Sequence, residues 1–416
     1  MSFHTESRRI PSIDLLRGLA VLLMLFVTDA AGIFTTPSWL RVSEGGQDTL
    51  SLGDLCLPWF LFVCGAAIPI AFEQQWKLAR SKWFFAYHIL TRTISLWLMG
   101  ILIVNAPYFG GNWRAGLWEF ILLSALIAGW MEWPKSLQVS IASQSLFRIS
   151  AMIIIAILAA YYGARDGSWL TLRGWGTLGV IGWGYLIGAL AYLSTRGNAV
   201  GLIAVAAILL AAANIEPSQW LDRLQARREL GDLQPYVVKL AQYWVRLDSI
   251  IDFGGMIGPL GGCVTLGCLL GNLVQDSRFE PTASTLKKVA ALWIGLLAAA
   301  IVCDAKFGVD PTQSSPAWIL YSVLVASNIW LIFWAVADRV EKAWGLQWLA
   351  DIGANALFAF LLMPWMLTLF QILDWEMHQK LGQDSFWNPL WRPAIATFCI
   401  GSIAALLSRL GWRMHL

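Results

Sequence analysis

Long apolar runs separated by short polar stretches recur along the whole chain. A helix needs about 20 mostly apolar residues to cross the hydrocarbon core of a bilayer, and these runs approach that length. They lie near residues 12–31, 54–72, 84–104, 116–131, 147–162, 176–193, 200–213, 253–274, 289–303, 316–336, 352–373 and 393–408. The pattern predicts an all-α fold, a polytopic transmembrane helix bundle of about 10–12 spans.

One longer polar segment interrupts this series. Residues 216–248 contain the charged sequence LDRLQARREL among apolar positions, a pattern typical of a helix that lies on the membrane surface or covers a site. No linker or low-complexity tract divides the remaining sequence. We therefore expect residues 1–416 to form a single transmembrane domain, with a surface amphiphilic segment at 216–248.

The first run differs from the others because it carries three charged residues. With about 100° of rotation per residue, Asp14, Arg17, Gly18, Thr28 and Asp29 share one helix face. Asp14 and Asp29 are separated by roughly 22 Å of helix rise, so this face is polar near both membrane surfaces. Charged residues at such positions usually face a protein interior or a watery cavity. The alternative is that Asp14 and Arg17 only neutralise each other near the surface.

Composition supports a membrane protein and argues against several kinds of site. Hydrophobic residues make up 58% of the chain and charged residues 13%, which leaves too little polar surface for a soluble domain. The six cysteines lie in or beside apolar runs, and the four histidines do not cluster with them, so we expect no disulfide framework and no metal site. A net charge of +3 without a dense basic patch indicates no nucleic-acid partner.

Lys and Arg residues in short loops predict the orientation in the lipid bilayer. With the N terminus in the cytoplasm, the cytoplasmic loops hold twice as many of these residues as the opposite loops. We therefore expect both termini to be cytoplasmic and the loop at 35–53 to face the outside. The sequence leaves the oligomeric state open, a homodimer included.

Polar residues within the apolar runs are the candidates for a site. Asp54 begins the second run, where it is also a natural helix N-cap. The others lie inside or at the ends of runs: Arg92, Asn105, Glu119, Asp252 and Asn355. Each also has an ordinary structural interpretation, as a cap, an interhelical hydrogen bond or a cation that reaches the membrane surface. Together they predict a transmembrane cavity lined from both sides, which suits either a transporter or an enzyme.

Two consecutive stretches resemble a known family. SIDLLRGLAVLLMLFVTDA is similar to the opening of the heparan-alpha-glucosaminide N-acetyltransferase family and its bacterial relatives, which begin with Leu-Asp-x-x-Arg-Gly. DLCLPWFLFVCGAAI resembles the next helix of that family, Asp-Leu-x-x-Pro-Trp-Phe-x-Phe-x-x-Gly, at close spacing. Later segments, DIGANALFAFLL among them, are similar in the same order, so the resemblance extends over nearly the whole chain.

The resemblance implies an acyltransferase in a bacterial inner membrane. It would take an acetyl group from cytoplasmic acetyl-CoA, its co-substrate, and pass it to an amino sugar or sugar hydroxyl of a saccharide acceptor outside. Asp14 and Arg17 match the first motif, and we expect Arg17 to contact a CoA phosphate because of its charge and its place at the inner mouth. The expected substrate- and CoA-binding residues are Asp14, Arg17, Asp54, Arg92, Asn105, Asp252 and Asn355.

This sequence departs from the family pattern. The loop before the second motif holds a histidine in the family, expected to act as base or acyl carrier, and Glu44 stands in its place. Thr28 and Asp29 replace a pair of asparagines, and Trp118 and Glu119 replace a glutamine and an arginine. Since a carboxylate in an apolar pocket can act as a base, the catalytic candidates are Glu44, Asp29, Asp48 and Glu119. The alternatives are a family member that has lost the reaction and a transporter or flippase.

Overall fold

The computed structural model describes residues 10–33, 35–43, 50–77, 82–110, 112–172, 175–214, 234–275, 283–339, 346–375 and 388–414. This part of the chain contains the helices α1 Pro11–Ala31, α2 Leu52–Lys77, α3 Lys82–Asn105, α4 Asn112–Trp130, α5 Ile141–Ala160, α6 Gly176–Thr195, α7 Ala199–Ala211, α8 Gln234–Ile251, α9 Gly258–Gln275, α10 Ala283–Phe307, α11 Pro316–Phe333, α12 Gln347–Ala354, α13 Ala356–Ile372 and α14 Asn388–Arg409. Two short strands, β1 Met131–Glu132 and β2 Arg413–Met414, form an antiparallel pair. The expected all-α fold is confirmed.

Seven of the described helices are long and apolar enough to cross a membrane: α2, α3, α5, α6, α10, α11 and α14. α12 and α13 meet the same criteria only as a pair, which is bent by 80°. The described part thus holds up to eight such spans, fewer than the expected 10–12, since α4, α7 and α9 contribute shorter apolar helices. α1, with its three charged residues, is outside the seven. The chain is a multi-pass membrane protein.

The run at 352–373, expected as one span, is broken near its start at Asn355, between α12 and α13. The Asn355 side chain is hydrogen-bonded to the segment that follows α14. Its Nδ2 donates to the Trp412 carbonyl at 3.2 Å, and its Oδ1 accepts from the Met414 N–H at 3.1 Å. Met414 belongs to β2, which pairs with β1 directly after α4. The break is therefore held by two segments distant in sequence.

α1 lies at the centre of the bundle and packs against α2, α11, α12, α13 and α14. Two glycines bring α1 and α12 into backbone contact: a Cβ on Gly18 would overlap the Leu349 carbonyl, and a Cβ on Gly353 would overlap the Asp14 carbonyl. Small residues allow this close approach, which stabilises helix pairs in lipid through van der Waals packing.

The same arrangement joins α2 to α9. A Cβ on Gly65 would overlap the Val264 carbonyl, and a Cβ on Gly267 would overlap the Phe62 carbonyl. α9 also packs against α6 and α7, so this glycine contact fixes one side of the bundle.

The amphiphilic segment expected at 216–248 is described only from residue 234 onward, since residues 215–233 lie outside the described residues. Its described part is α8, in which Ala241 is buried and most other side chains are exposed.

We predict that Gly267→Ala destabilises the protein in detergent by about 1–3 kcal/mol, because the added methyl group forces α2 and α9 apart. Gly295→Ala is the matched control, since a Cβ on Gly295 in α10 would meet nothing within 4 Å. Thermal unfolding followed by tryptophan fluorescence measures both variants. Equal melting temperatures for the two variants would contradict the proposed backbone contact.

Candidate functional site

A cavity of about 370 Å³ lies between α1, α2, α3, α6 and the junction of α12 with α13. Its polar lining is concentrated in a few side chains: Asp14, Arg17, Gln75, His88, Arg92 and Tyr185. The remaining lining is largely apolar and includes Met24, Phe60 and Phe360. The cavity is therefore amphipathic, with charged groups near the start of α1 and apolar groups farther along it.

Arg17 is held at the helix break by two contacts. Its Nη1 donates to Asp14 Oδ1 at 3.1 Å and to the Gly353 carbonyl at 3.4 Å. The ion pair considered as the alternative role for Asp14 and Arg17 does form, but both residues line the cavity. Because the side chains stay 15% and 25% exposed, Arg17 can still reach a ligand.

Arg92 is the second cation of the cavity. Its guanidinium carbon lies 4.6 Å from the centre of the Tyr185 ring, a distance typical of cation–π contact. His88, one turn earlier on α3, also lines the cavity and stacks on Phe84. The buried Arg92 Nε and Gln75 Oε1 have no hydrogen-bond partner among the described residues, and buried polar atoms of this kind usually mark a place for a ligand or water.

The charges of the lining favour an anion. Arg17 and Arg92 contribute two positive charges, and Asp14 offsets one of them. Ala356 and Leu357, which begin α13, also line the cavity, and a helix N-terminus carries a partial positive charge. Arginine binds phosphate well because its planar group donates several hydrogen bonds at once.

A buried apolar cluster closes the far end of the cavity. Its members come from α1, α2 and the loop between them: Met24, Val27, Ala30, Leu40 and Cys56. Phe60 and Phe360, which line the cavity, pack against this cluster. We call this group the outer apolar cluster. Along α1 it extends from Met24, which lines the cavity, to Ala30, which follows Asp29.

Asp29 lies near the end of α1 and is paired with Arg392 of α14. Arg392 Nε donates to Asp29 Oδ2 at 3.1 Å, and Nη2 donates to Oδ1 at 3.3 Å and to the Asp29 carbonyl at 2.9 Å. The two side chains are 3% and 12% exposed. The sequence near Asp29 offers no cation, so only the fold supplies this partner.

Asp54 organises the loop before α2. Its carboxylate accepts bonds from the N–H and hydroxyl of Ser43, at 3.0 and 2.6 Å, and from those of Ser51, at 3.0 and 2.7 Å. It therefore fixes both ends of the loop that carries Glu44 and Asp48. These two candidates lie outside the described residues.

Asn105 is fully occupied by other contacts. Its Nδ2 donates to the carbonyls of Ile101 and Thr171, both at 2.8 Å, while Oδ1 accepts from the N–H and hydroxyl of Thr171 at 3.2 Å. Tyr162 also donates to the Asn105 carbonyl. Asn105 thus joins the end of α3 to the segment before α6.

Two further candidates lie apart from the cavity lining. Glu119 is half-buried in α4. Asp252 is exposed at the corner between α8 and α9, with a left-handed backbone at φ 54°. The structure therefore brings together Asp14, Arg17 and Arg92, with Asn355 at the border, and leaves Asp29, Asp54, Asn105, Glu119 and Asp252 outside the cavity lining.

Gln75, His88 and Tyr185 line the cavity but are not among the candidates that the sequence indicates. His88 precedes Arg92 by one turn on the same helix face, so its position one turn from a selected cation could have pointed to it. Gln75 and Tyr185 carried no signal, because a single polar residue near the end of an apolar helix and a single tyrosine in the middle of one are both common. Among the described residues, no group of three or more His, Cys, Asp or Glu side chains could hold a metal ion.

Comparison with known proteins supports the resemblance noted in the sequence. No protein-family model matches the chain. The chain is 33% identical over 103 residues to human heparan-alpha-glucosaminide N-acetyltransferase, and 28% identical over 148 residues to the mouse protein of the same name. The matches include 24% and 32% of this chain but only 14% and 21% of those longer relatives. Over this part of the chain the resemblance is confirmed, as a distant relationship to the heparan-alpha-glucosaminide N-acetyltransferases.

Proposed function

We propose that the protein is a membrane acetyltransferase of a bacterial inner membrane. It passes an acetyl group from cytoplasmic acetyl-CoA to an amino sugar or glycan on the periplasmic side, with both termini in the cytoplasm. The family relationship supports the reaction class, and the excess of Lys and Arg in the loops beside the start of α1 supports the orientation.

The observation that carries this proposal is the amphipathic cavity with two arginines at its charged end. CoA combines phosphate groups with a long, less polar pantetheine arm that ends in the thioester. Arg17 and Arg92 suit the phosphates, and the apolar lining suits the arm and the acetyl group. Asp14 and Asn355 act as positioning residues, since Asp14 holds Arg17 and Asn355 holds the helix break beside it.

The transfer step mainly needs a base that takes the proton of the acceptor, because the CoA thiolate is already a fair leaving group. The acceptor nitrogen or oxygen attacks the thioester carbonyl, its proton passes to a carboxylate, and the C–S bond breaks to release CoA as a thiolate. Met24 lines the cavity and Asp29 follows it by five residues, about 7.5 Å of helix rise. We propose that the base is one of the outer carboxylates, Asp29 or the Glu44 and Asp48 pair of the loop held by Asp54.

A transporter is the second candidate, and the broken pair α12–α13 favours it. Discontinuous helices whose N-termini face a central site are common in secondary transporters. The absence of the loop histidine points the same way. A transporter would bind its cargo in the same cavity but would leave acetyl-CoA unchanged.

Acetyl-CoA labelled in the acetyl group separates these two functions. We expect the purified protein to transfer the label to at least one member of a panel of amino sugars and glycans. If the protein neither binds nor consumes acetyl-CoA, the proposal of an acetyltransferase is overturned. Uptake of the sugars into vesicles that contain the protein would then support transport.

We predict that Arg17→Gln and Arg92→Gln each weaken CoA binding by about 10- to 100-fold, because each removes a charge-assisted hydrogen bond worth about 1.5–3 kcal/mol. Arg409→Gln is the matched control, since Arg409 pairs with Asp351 away from the cavity lining. Isothermal titration with CoA measures all three variants. An equal loss in the Arg409 variant would argue against specific phosphate contacts.

We predict that Asp29→Asn lowers turnover by about 10²- to 10⁴-fold if its carboxylate is the base, while CoA binding is unchanged. Arg392→Gln is the matched control, because it breaks the same ion pair but keeps the carboxylate. Both variants are compared at equal amounts of folded protein, since breaking a buried pair costs about 3–5 kcal/mol. Equal turnover in the two variants would show that Asp29 has a structural role and is not the base. Glu44→Gln would then be the next variant to test.

A further inference from the structure

α8 presents three distinct faces, and two of them are exposed. With about 100° per residue, the positions turned toward the protein are 237, 238, 241, 245 and 248, where Ala241 is 2% exposed. The opposite, apolar face holds large side chains that are 40–74% exposed: Tyr236, Leu240, Tyr243, Trp244, Leu247 and Ile250. A third, polar flank holds Lys239, Gln242, Arg246 and Ser249, all exposed.

α8 lies on the side of the protein opposite to the charged end of the cavity. The Trp175 indole N–H donates to the Ile250 carbonyl at 2.9 Å. Trp175 precedes α6 and lies beside the end of α3, where a Cβ on Gly100 would overlap its carbonyl. His88 and Arg92, by contrast, lie in the first half of α3. α8 is thus at the outer membrane surface in the proposed orientation.

The exposed apolar face is continuous with the lipid-facing surface of the bundle. The turn that ends α7 packs against residues 253–257, which follow α8. Ile208, in the last turn of α7, is 70% exposed, as expected for a side chain in contact with lipid. A helix of 18 residues with tyrosine, tryptophan and leucine on one face and cations on its flank is typical of an interfacial helix.

We propose that α8 lies in the plane of the membrane surface and binds phospholipid headgroups. The apolar face enters the outer leaflet, and Lys239 and Arg246, two turns apart on the polar flank, contact lipid phosphates. Bilayer lipid is favoured over a second copy of the chain because the apolar face carries cations on its edge and joins the surface that already faces lipid.

The test attaches a spin label to one introduced cysteine at a time, in nanodiscs that hold one copy of the protein. Leu240→Cys reports on the apolar face and Gln242→Cys on the polar flank, in a chain with Cys399→Ser because Cys399 is the exposed native thiol of the described part. We expect the Leu240 label to collide mainly with lipid-soluble oxygen and the Gln242 label mainly with a water-soluble nickel chelate.

The second arm tests the cations. In discs of phosphatidylglycerol and phosphatidylethanolamine, Lys239→Gln and Arg246→Gln should each reduce the ratio of lipid-immersed to water-exposed label at position 240 by about fivefold. Arg165→Gln and Lys306→Gln, two exposed cations outside α8, are the controls and should leave the ratio unchanged.

Four outcomes would overturn the proposal. Equal access of the nickel chelate to both labels would place α8 in water. Protection of position 240 from both reagents in single-copy discs would mean that the chain itself covers the face. Protection only in liposomes with many copies would assign the face to a second copy. Cation variants that behave like the Arg165 and Lys306 controls would remove the phosphate contact.

Discussion

The backbone contact between α1 and α12 is the constraint on which the candidate site depends. Because Gly18 and Gly353 carry no side chains, the two helices approach until each backbone meets the other. Arg17 can then reach the Gly353 carbonyl at the end of α12 while it stays bonded to Asp14. A larger residue at either glycine would separate the helices and remove Arg17 from the helix break. The close approach is therefore both a packing device and the means by which a cation is fixed at the mouth of the cavity.

Polar groups lie near both ends of α1, but they do not form one continuous site. Arg17 faces the cavity, the outer apolar cluster follows, and Asp29 with Arg392 comes last. This order suits the proposed transfer, since apolar side chains lie between the cations of the cavity and the Asp29–Arg392 pair. It also explains why α1 can carry charges in lipid, because each of them is paired or faces a cavity.

The sequence predicted the features that depend on one helix and missed those that depend on several. The shared face of Asp14 and Arg17 follows from helical periodicity, and both residues line the cavity. Arg392 could not be assigned to Asp29, because 363 residues separate them and no local pattern joins the two. The break at Asn355 lies within an apolar run that reads as continuous, and its contacts come from Arg17 and from the C-terminal segment, both distant in sequence.

The change from a histidine to carboxylates has a physical consequence for the proposed reaction. A carboxylate stores an acetyl group only as a reactive anhydride, so a stable acyl-enzyme stage is unfavourable and both substrates must be present together. Asp29 and Asp54 are already held by Arg392 and by the two serines, respectively. These partners fix the position of each carboxylate. In the proposed reaction, the replacement of the loop histidine by carboxylates therefore requires that both substrates are bound before CoA is released.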